Sequence, residues 1–533
     1  MTYIRSLLTF SVCVSVCLPL QADWLTFGHD PQRSGWARED KTISPGNAAS
    51  FQLSWTAQLE NEPLALSALT APLLAEGIQT SKGRRTLVFV AGSSNHFFAI
   101  DAQDGTVLWK KTFESHVLPK DETFYLCPNA VNATPVIDKD RNLIYSIALD
   151  GKLYGLDLGT GDVRFGPFQF VPPFSKAWSL NLDGGFIYTS TSQGCGGDRS
   201  GIYAMKVDDP RHPELHELLV RNGFGAGIWG RGGPVVGNSK RVYVVTGDGA
   251  FDPGSGDFGN TFLAASPKSL DPVDYFTPSN WKDLSKVDLD IPSGGHLAFT
   301  HKNREFVVGG GKESVVYLLD ANALGGVDHH TPLFTTPVLA NAGRALEEKG
   351  IWGAPAAWTD ENGEAWVYIT IWGALSQYAS AFPITNGPTP HGCILAFKVV
   401  AQSTGKIELQ PAWISPDFNL PDPPAIANGV LFALATGENP RQDRILGVLH
   451  YKSLEDWKKN LLTTAERSAG TRPAVLFALD ARTGKALYQS GSAMKTWVHF
   501  SGLAVNGGRV YAVDHESRLY CFTVADTSTI HNY

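Results

Sequence analysis

Residues 98–109 of the 533-residue chain read FAIDAQDGTVLW, and two further stretches follow the same pattern: YGLDLGTGDVRF at 154–165 and FALDARTGKALY at 477–488. In each stretch an aromatic, a small and an aliphatic residue lead to an Asp. A Gly follows four positions later, and a second aromatic residue stands eleven positions after the first. The alternation is typical of a strand, the Asp can bond turn amides, and the Gly supplies the positive φ of a tight turn. The pattern therefore predicts a repeated β-hairpin.

Weaker copies of the motif extend the repeat along the chain, beginning at Tyr203, Leu263, Tyr317, Leu395 and Tyr520. With the three clear copies they make eight. Each clear copy is preceded by another alternating strand, and units of about four strands arranged around an axis form a β-propeller. The sequence therefore predicts an all-β, eight-bladed β-propeller. Seven blades are the main alternative, because the copy at Leu263 is degenerate.

The two ends of the chain complement each other. The last copy has no outer strand after Phe522, whereas residues 51–55 (FQLSW) form an alternating strand without a hairpin partner. We expect this N-terminal strand to close the last blade as its outer strand, so that no sheet edge stays open. The propeller then spans 51–526, with a leader at 23–50 and a tail at 527–533.

One segment departs from the strand pattern. Leu454, Trp457 and Leu461 fall on one helical face, and Ser453 precedes them as a candidate N-cap. This pattern predicts a short helix inserted in the seventh blade, within 453–467. We expect it to serve packing.

The first 22 residues are typical of a secretory signal peptide. Arg5 is followed by an apolar run at 7–20 and by the small residue Ala22, and the run is too short to span a bilayer. We expect cleavage after Ala22, a periplasmic or secreted mature chain, and no integral membrane segment in it.

Composition excludes several classes of protein. With 54 Gly, 32 Pro, 18% charged and 43% hydrophobic residues, the chain is neither a coiled coil nor disordered. Its net charge of −8, with no basic tract, argues against nucleic acid as a partner.

Four cysteines remain after the signal segment: Cys127, Cys195, Cys393 and Cys521. An even number in an oxidising compartment allows disulfides, and three pairings of the four stay open. No C-x-x-C-H motif occurs, so covalent c-type haem has no support.

The repeat, Ala-(Leu/Ile)-Asp-x-x-(Thr/Asp)-Gly-x-x-x-Trp, resembles that of the pyrroloquinoline quinone (PQQ) dehydrogenases. The resemblance is closest to the alcohol dehydrogenases among them, and it extends to four stretches outside the repeats, at 227–230 (GIWG), 246–248 (TGD), 287–290 (VDLD) and 311–320 (GKESVVYLLD). It implies oxidation of an alcohol by hydride transfer to the quinone. In such enzymes the quinone lies on a tryptophan floor, Ca²⁺ acts as Lewis acid, and an Asp accepts the alcohol proton.

Four residues match the family's functional positions. The resemblance makes Trp229 the floor under PQQ, Lys312 the residue beside the quinone carbonyl, and Asp288 the catalytic base and a metal ligand. Asp248 stands where the family has a metal-binding Asn. Three of them also have a structural alternative: Trp229 as a core tryptophan, Lys312 as a snorkelling lysine and Asp288 as a solvated acid.

The family's metal-binding Glu would fall at or near Cys195, which is the main departure from the pattern. A thiol is a poor ligand for Ca²⁺. Asp248 in place of Asn partly restores the negative charge, and Asp198 or Asp290 could add an oxygen, which favours a rearranged metal site. Cys195 could instead pair with Cys127.

Two functions therefore stay open. The first is an exported PQQ-dependent dehydrogenase that passes electrons to a separate acceptor such as a cytochrome c. The second is a non-catalytic PQQ-like propeller acting as a periplasmic protein-binding scaffold, because propellers of this repeat also serve without a cofactor.

Overall fold

Eight β-sheets form the blades, each built on four main strands that run in chain order from the central axis outwards, except that the outer strand of the last blade comes from the N-terminal part of the chain. The computed structural model describes residues 22–64, 66–114, 127, 130–197, 199–220, 226–340, 349–445 and 452–525. The predicted signal peptide (except Ala22), the predicted tail and Asp198 lie outside the described residues.

The first four blades contain these strands: Leu73–Thr80, Gly83–Gly92, His96–Asp101 and Val107–Thr112 in blade 1; Val136–Asp138, Leu143–Ile147, Lys152–Asp157 and Val163–Gln169 in blade 2; Asn181–Asp183, Phe186–Ser192, Gly201–Lys206 and Glu214–Leu219 in blade 3; Val235–Val236, Val242–Val245, Phe262–Ala265 and Pro272–Phe276 in blade 4.

The last four blades contain these strands: His296–His301, Arg304–Gly310, Val316–Asp320 and Phe334–Thr335 in blade 5; Ala356–Thr359, Ala365–Trp372, Gly392–Ala401 and Ile407–Ile414 in blade 6; Ala425–Ala427, Val430–Ala435, Val475–Asp480 and Ala486–Gln489 in blade 7; Ala504–Asn506, Arg509–Val513, Arg518–Val524 and Phe51–Gln58 in blade 8. Shorter elements add to this frame: strands Trp36–Ala37, Lys176–Ala177, Phe251–Asp252, Asp257–Phe258, Gly350–Ile351 and Ile384–Thr385, α-helices Trp281–Lys286, Leu454–Lys459 and Thr464–Ala469, and 3₁₀ turns Ala48–Ser50, Cys195–Gly197, Pro253–Ser255 and Ile291–Gly294.

The ring closes as the sequence predicts. Phe51–Gln58 pairs antiparallel with Arg518–Val524, with Phe51 opposite Val524 and Gln58 opposite Arg518. The N-terminal strand is thus the outer strand of blade 8, and the prediction of an eight-bladed propeller is confirmed.

The repeat motif joins each blade to the next. In blade 2, Asp157 Oδ1 accepts hydrogen bonds from the amides of Gly159 and Thr160, and Gly161 has φ +75°. Trp109, the closing aromatic of blade 1, packs against Gly161 so tightly that a Cβ there would lie 2.7 Å from the indole. The indole N–H of Trp109 also donates to Leu158 O at 3.0 Å. In the same way Trp55 packs on Gly105 and Trp413 on Gly484, so in the three clear copies an indole of the preceding blade lies over the glycine of the turn.

The leader lies inside the ring. Between residues 22 and 40 the leader forms hydrogen bonds with the inner strand of every blade or with a residue next to that strand. Five backbone amides, in blades 2, 4, 5, 6 and 7, are examples. These amides donate to successive leader carbonyls and belong to Ile137, Val236, Ala298, Ala357 and Ile426. Arg33, at 1% exposure, donates from within the leader to Leu180 O of blade 3. The segment therefore fills the axis of the propeller.

The insertion in blade 7 contains two short helices where the sequence predicts one. Leu454–Lys459 ends at Asn460, and Thr464–Ala469 begins after Thr463. The Thr463 hydroxyl accepts the Glu466 amide while the Glu466 carboxylate accepts the Thr463 amide, and this capping box starts a new helix. No helix among the described residues is long and apolar enough to cross a membrane.

Candidate functional site

The matched residues come from loops on one face of the propeller. Connections between blades and loops between the second and third strands of a blade emerge on the same face of an up-and-down sheet. Trp229 lies in the connection from blade 3 to blade 4, and Asp288 and Asp290 lie in the connection from blade 4 to blade 5. Asp248 and Lys312 follow the second strands of blades 4 and 5. Positions far apart in sequence are thereby brought together.

Three carboxylates form the centre of the site. Asp248, Asp288 and Asp290 each offer an oxygen, and these oxygens all lie within 4.8 Å of one another. Lys312 Nζ donates to Asp288 Oδ1 at 2.8 Å and to Asp290 Oδ2 at 2.7 Å. The Asp248 amide donates to Asp290 Oδ1 at 2.7 Å, and Asn260 Nδ2 donates to Asp248 Oδ1 at 2.8 Å. The sequence matches named Asp248 and Asp288, and Asp290 as a possible additional ligand.

The three acids differ in how their surroundings shift their pKa values. Burial, assisted by the charge of Asp290, raises the pKa of Asp248 to about 8. Burial also raises the pKa of Asp288 to about 6, against the opposing effect of Lys312. At Asp290 burial is outweighed by Lys312, so the pKa of Asp290 lies below its usual value. Asp288 has φ +56°, a conformation uncommon outside Gly and enriched at functional positions.

An aromatic cluster borders the acids. The Lys312 ammonium lies 5.6 Å from the Trp229 ring centre and 5.8 Å from that of Trp352. Trp352 stacks on Trp372 at 5.4 Å, and Phe500 is nearly parallel to both, at interplanar angles of 11° and 14°. The sequence reading missed Trp352, Trp372 and Phe500. The available signal was the tripeptide Ile-Trp-Gly, which occurs at Trp229, Trp352 and Trp372 alike.

Cys195 is not a thiol in this structure. It forms a disulfide with Cys127 and joins the connection after blade 1 to blade 3, so it offers no thiolate to a metal. Among the described residues Cys393 and Cys521 are free and buried. Cys195 therefore has a structural role and does not take the metal-binding role of the family's Glu. Among the described residues, the acids grouped closely enough to hold a cation are Asp248, Asp288 and Asp290.

This donor set and its surroundings fit the groups that the resemblance implies. Carboxylate oxygens are what a hard cation such as Ca²⁺ prefers, and aromatic faces suit a planar ring system. Together the fold and the repeat make the chain a PQQ-like eight-bladed β-propeller.

Comparison with known proteins agrees with that class. Residues 19–211 match the family model described as outer membrane protein assembly factor BamB. No curated protein sequence matches the chain significantly.

Several solved structures share the fold. The quinohemoprotein alcohol dehydrogenase ADHIIG of Pseudomonas putida HK5 matches with a TM-score of 0.57 and 12% identity, over 96% of this chain and 81% of that chain. The quinohemoprotein alcohol dehydrogenase of Comamonas testosteroni matches with a TM-score of 0.57 and 13% identity, over 96% and 82%. A europium-containing methanol dehydrogenase matches with a TM-score of 0.54 and 13% identity, over 94% and 89%. At such identities the likeness shows a common fold.

Proposed function

We propose that the chain is an exported dehydrogenase that binds PQQ and Ca²⁺ at this site and oxidises an alcohol, with electrons leaving to a separate acceptor such as a cytochrome c. The observation that carries the proposal is the convergence of Trp229, Asp248, Asp288 and Lys312, four positions chosen from sequence alone, in one cluster of side chains. A shared fold by itself would not support an activity.

The three aspartates would hold the cation. Bound there, Ca²⁺ supplies a Lewis acid and PQQ a two-electron acceptor. Asp248, Asp288 and Asp290 provide oxygens from three backbone positions fixed by two loops, and Asn260 orients the first of them. Lys312 balances part of their charge while it also faces Trp229.

Asp288 is the residue best placed to accept the hydroxyl proton of an alcohol. Its side chain is 34% exposed against 11% for Asp290, so of these two acids it is the more accessible. Burial raises its pKa to about 6, which leaves it largely ionised at neutral pH but more basic than an ordinary carboxylate. The indoles of Trp229 and Trp352 lie beside Lys312, and such apolar neighbours strengthen the hydrogen bonds that Lys312 donates to the acids.

The test is reconstitution with PQQ and Ca²⁺, followed by dye reduction over a panel of alcohols. Asp288→Asn is expected to lower kcat by about 10²–10⁴, the usual contribution of a general base. The affinity for PQQ, measured by quenching of tryptophan fluorescence, should stay within about threefold of wild type, because the carboxamide of Asn is isosteric with the carboxylate of Asp. Asp283→Asn is the matched control, because Asp283 lies five residues earlier and is exposed. Equal activity of both variants would contradict the role of Asp288.

A second candidate function has one observation in its favour. The family model that matches residues 19–211 is described as an outer membrane assembly factor, which suggests a protein-binding scaffold. A chain that folds normally but binds neither PQQ nor Ca²⁺ under these conditions would support the scaffold over the dehydrogenase.

A further inference from the structure

The leader enters the propeller beside a carboxylate that lacks a cationic partner. Glu76 lies in the inner strand of blade 1, Leu73–Thr80, and its carboxylate forms no ion pair with any described residue. Its Oε1 accepts a hydrogen bond from Asn506 Nδ2 at 3.0 Å. Burial and the charge of Asp23 raise the pKa of Glu76, and the charge of Lys139 does not compensate for them. The surroundings of Glu76 are therefore short of positive charge.

The cation of this cluster is already engaged by another acid. Lys139 Nζ pairs with Asp23 Oδ2 at 2.6 Å, and Asp23 Oδ1 accepts the backbone amide of Glu76 at 2.8 Å. Asp23 and Lys139 are both largely buried, so solvent screens their charges only in part. Among the described residues, two carboxylates thus face one ammonium group.

The peptide bond between Ala22 and Asp23 lies against the Glu76 carboxylate. Ala22 is buried, and its carbonyl accepts a hydrogen bond from the same Asn506 Nδ2 that donates to Glu76. The amide and carbonyl of Trp24 pair with the inner strand of blade 1, which fixes the backbone on the other side of Asp23. The backbone nitrogen of Asp23 is therefore held close to the unpaired carboxylate.

Removal of the signal peptide would create a positive charge at this nitrogen. The sequence predicts that cleavage follows Ala22. Hydrolysis adds the hydroxyl of water to the Ala22 carbonyl carbon and leaves an amine on Asp23, which takes up a proton. The ordinary pKa of such an α-amino group is about 7.7–8.0, so it is largely charged at neutral pH. With the Ala22 carbonyl gone, the side-chain amide of Asn506 is free to turn its oxygen towards this ammonium group.

We propose that Glu76 and Asn506 form a binding site for the α-ammonium group of Asp23 that signal cleavage creates. The ion pair then fastens the leader in the axis of the propeller in the processed chain, and the unprocessed chain lacks it. Capture of a chain terminus by polar groups is a known mode of recognition. The inference rests on the export within the proposed function and is independent of its chemistry, because no cofactor or substrate takes part.

The experiment titrates this amine in the exported protein. The product is sequenced from its N-terminus and then labelled with acetic anhydride, which acetylates the unprotonated amine, over a series of pH values. The tryptic peptide 23–33 contains no lysine, so its mass reports the α-amino group directly. We expect Asp23 as the first residue, and half-maximal labelling at least one pH unit above the ordinary pKa of about 7.7–8.0. Glu76→Gln should restore the ordinary value, whereas the exposed Glu455→Gln should not change it.

A second measurement reads the same ion pair as stability. A pKa that is higher in the folded chain means that the folded chain binds more protons between the two pKa values. The stabilisation is complete below the unfolded pKa of about 7.7–8.0 and is lost as the pH rises through the folded pKa. Above about pH 8 the urea midpoint of wild type should therefore fall relative to that of Glu76→Gln, because all other titrating groups are common to both chains.

Three results would overturn the site. They are half-maximal labelling of wild type at the ordinary pKa, the same raised value in wild type and Glu76→Gln, and an exported product that begins at a residue other than Asp23. The titration of wild type needs no variant, so it decides the matter even if Glu76→Gln does not fold. None of these results bears on the binding of PQQ or Ca²⁺, and a failure to bind them would refute the proposed dehydrogenase without affecting this site.

Discussion

Lys312 is the residue on which the acidic cluster depends. Its buried ammonium is shared between Asp288 and Asp290, and without it these carboxylates and Asp248 would repel one another. We expect Lys312→Met to lower the free energy of unfolding at pH 7.5 by about 3–5 kcal/mol, as when one partner of a buried ion pair is removed.

Urea denaturation measures this loss, and Ca²⁺ should restore part of it, because a cation among the carboxylates replaces the lost charge. Lys286→Met is the control, since Lys286 and its partner Asp283 are exposed, and it should change stability by no more than about 0.5 kcal/mol. A Lys312→Met chain as stable as wild type would contradict this account of the cluster.

Lys176 should make stability depend on pH in the neutral to alkaline range. Its pKa falls from 10.5 in the unfolded chain to about 7 in the folded one, so between these values the unfolded state binds more protons. Stability therefore rises with pH from about 7 to about 10.5 on account of this group. The slope of the urea midpoint against pH should be smaller in Lys176→Met than in wild type. An identical slope in both chains would mean that Lys176 is solvated in the folded state.

At the scale of elements, the disulfide ties the connection after blade 1 to blade 3. Cys127 and Cys195 are 68 residues apart, and closing a loop of this length typically contributes about 2–4 kcal/mol. We expect the double variant Cys127→Ser/Cys195→Ser to be less stable by this amount in denaturant. Reductant should destabilise wild type similarly and leave the double variant unchanged. A wild-type midpoint insensitive to reductant would show that the bridge contributes nothing.

The sequence predicted the elements whose determinants are local. The Asp and Gly of each hairpin turn, and the aromatic that packs on the next blade, lie within twelve residues, so the repeat could be recognised and its copies counted. The break between the two helices of the insertion depends on the Thr463–Glu466 capping box, which the apolar pattern did not reveal. The sequence pattern therefore predicts whether an element is a helix or a strand better than it predicts the residues at which the element begins and ends.

The site was predictable only where a motif carried the signal. Trp229, Asp288 and Lys312 stand in stretches that resemble a known family, whereas Phe500 reaches the pocket through ring closure, which no local pattern encodes.

At the scale of the whole molecule, the leader holds the inner strands together. A chain that begins at residue 41 would lose the acceptors of the amides of Ile137, Val236, Ala298, Ala357 and Ile426. Hydrogen exchange should show these five amides protected in the complete chain and rapidly exchanging in the truncated one. The amide of Tyr145, within the second strand of blade 2, is the internal control and should keep its protection. Protection of all six in both chains would mean that the leader is dispensable for the ring.

The pairing of Phe51–Gln58 with Arg518–Val524 has a consequence for biosynthesis. Domains generally begin to fold from the end that leaves the ribosome first, but here the first blade strand in the chain, Phe51–Gln58, has to wait for the last described strand. Until Arg518–Val524 is made, Phe51–Gln58 has no partner in its own sheet, and the nascent protein exposes an unpaired strand to which other chains can add. The need for chaperones should therefore last until the strands of blade 8 have been synthesised.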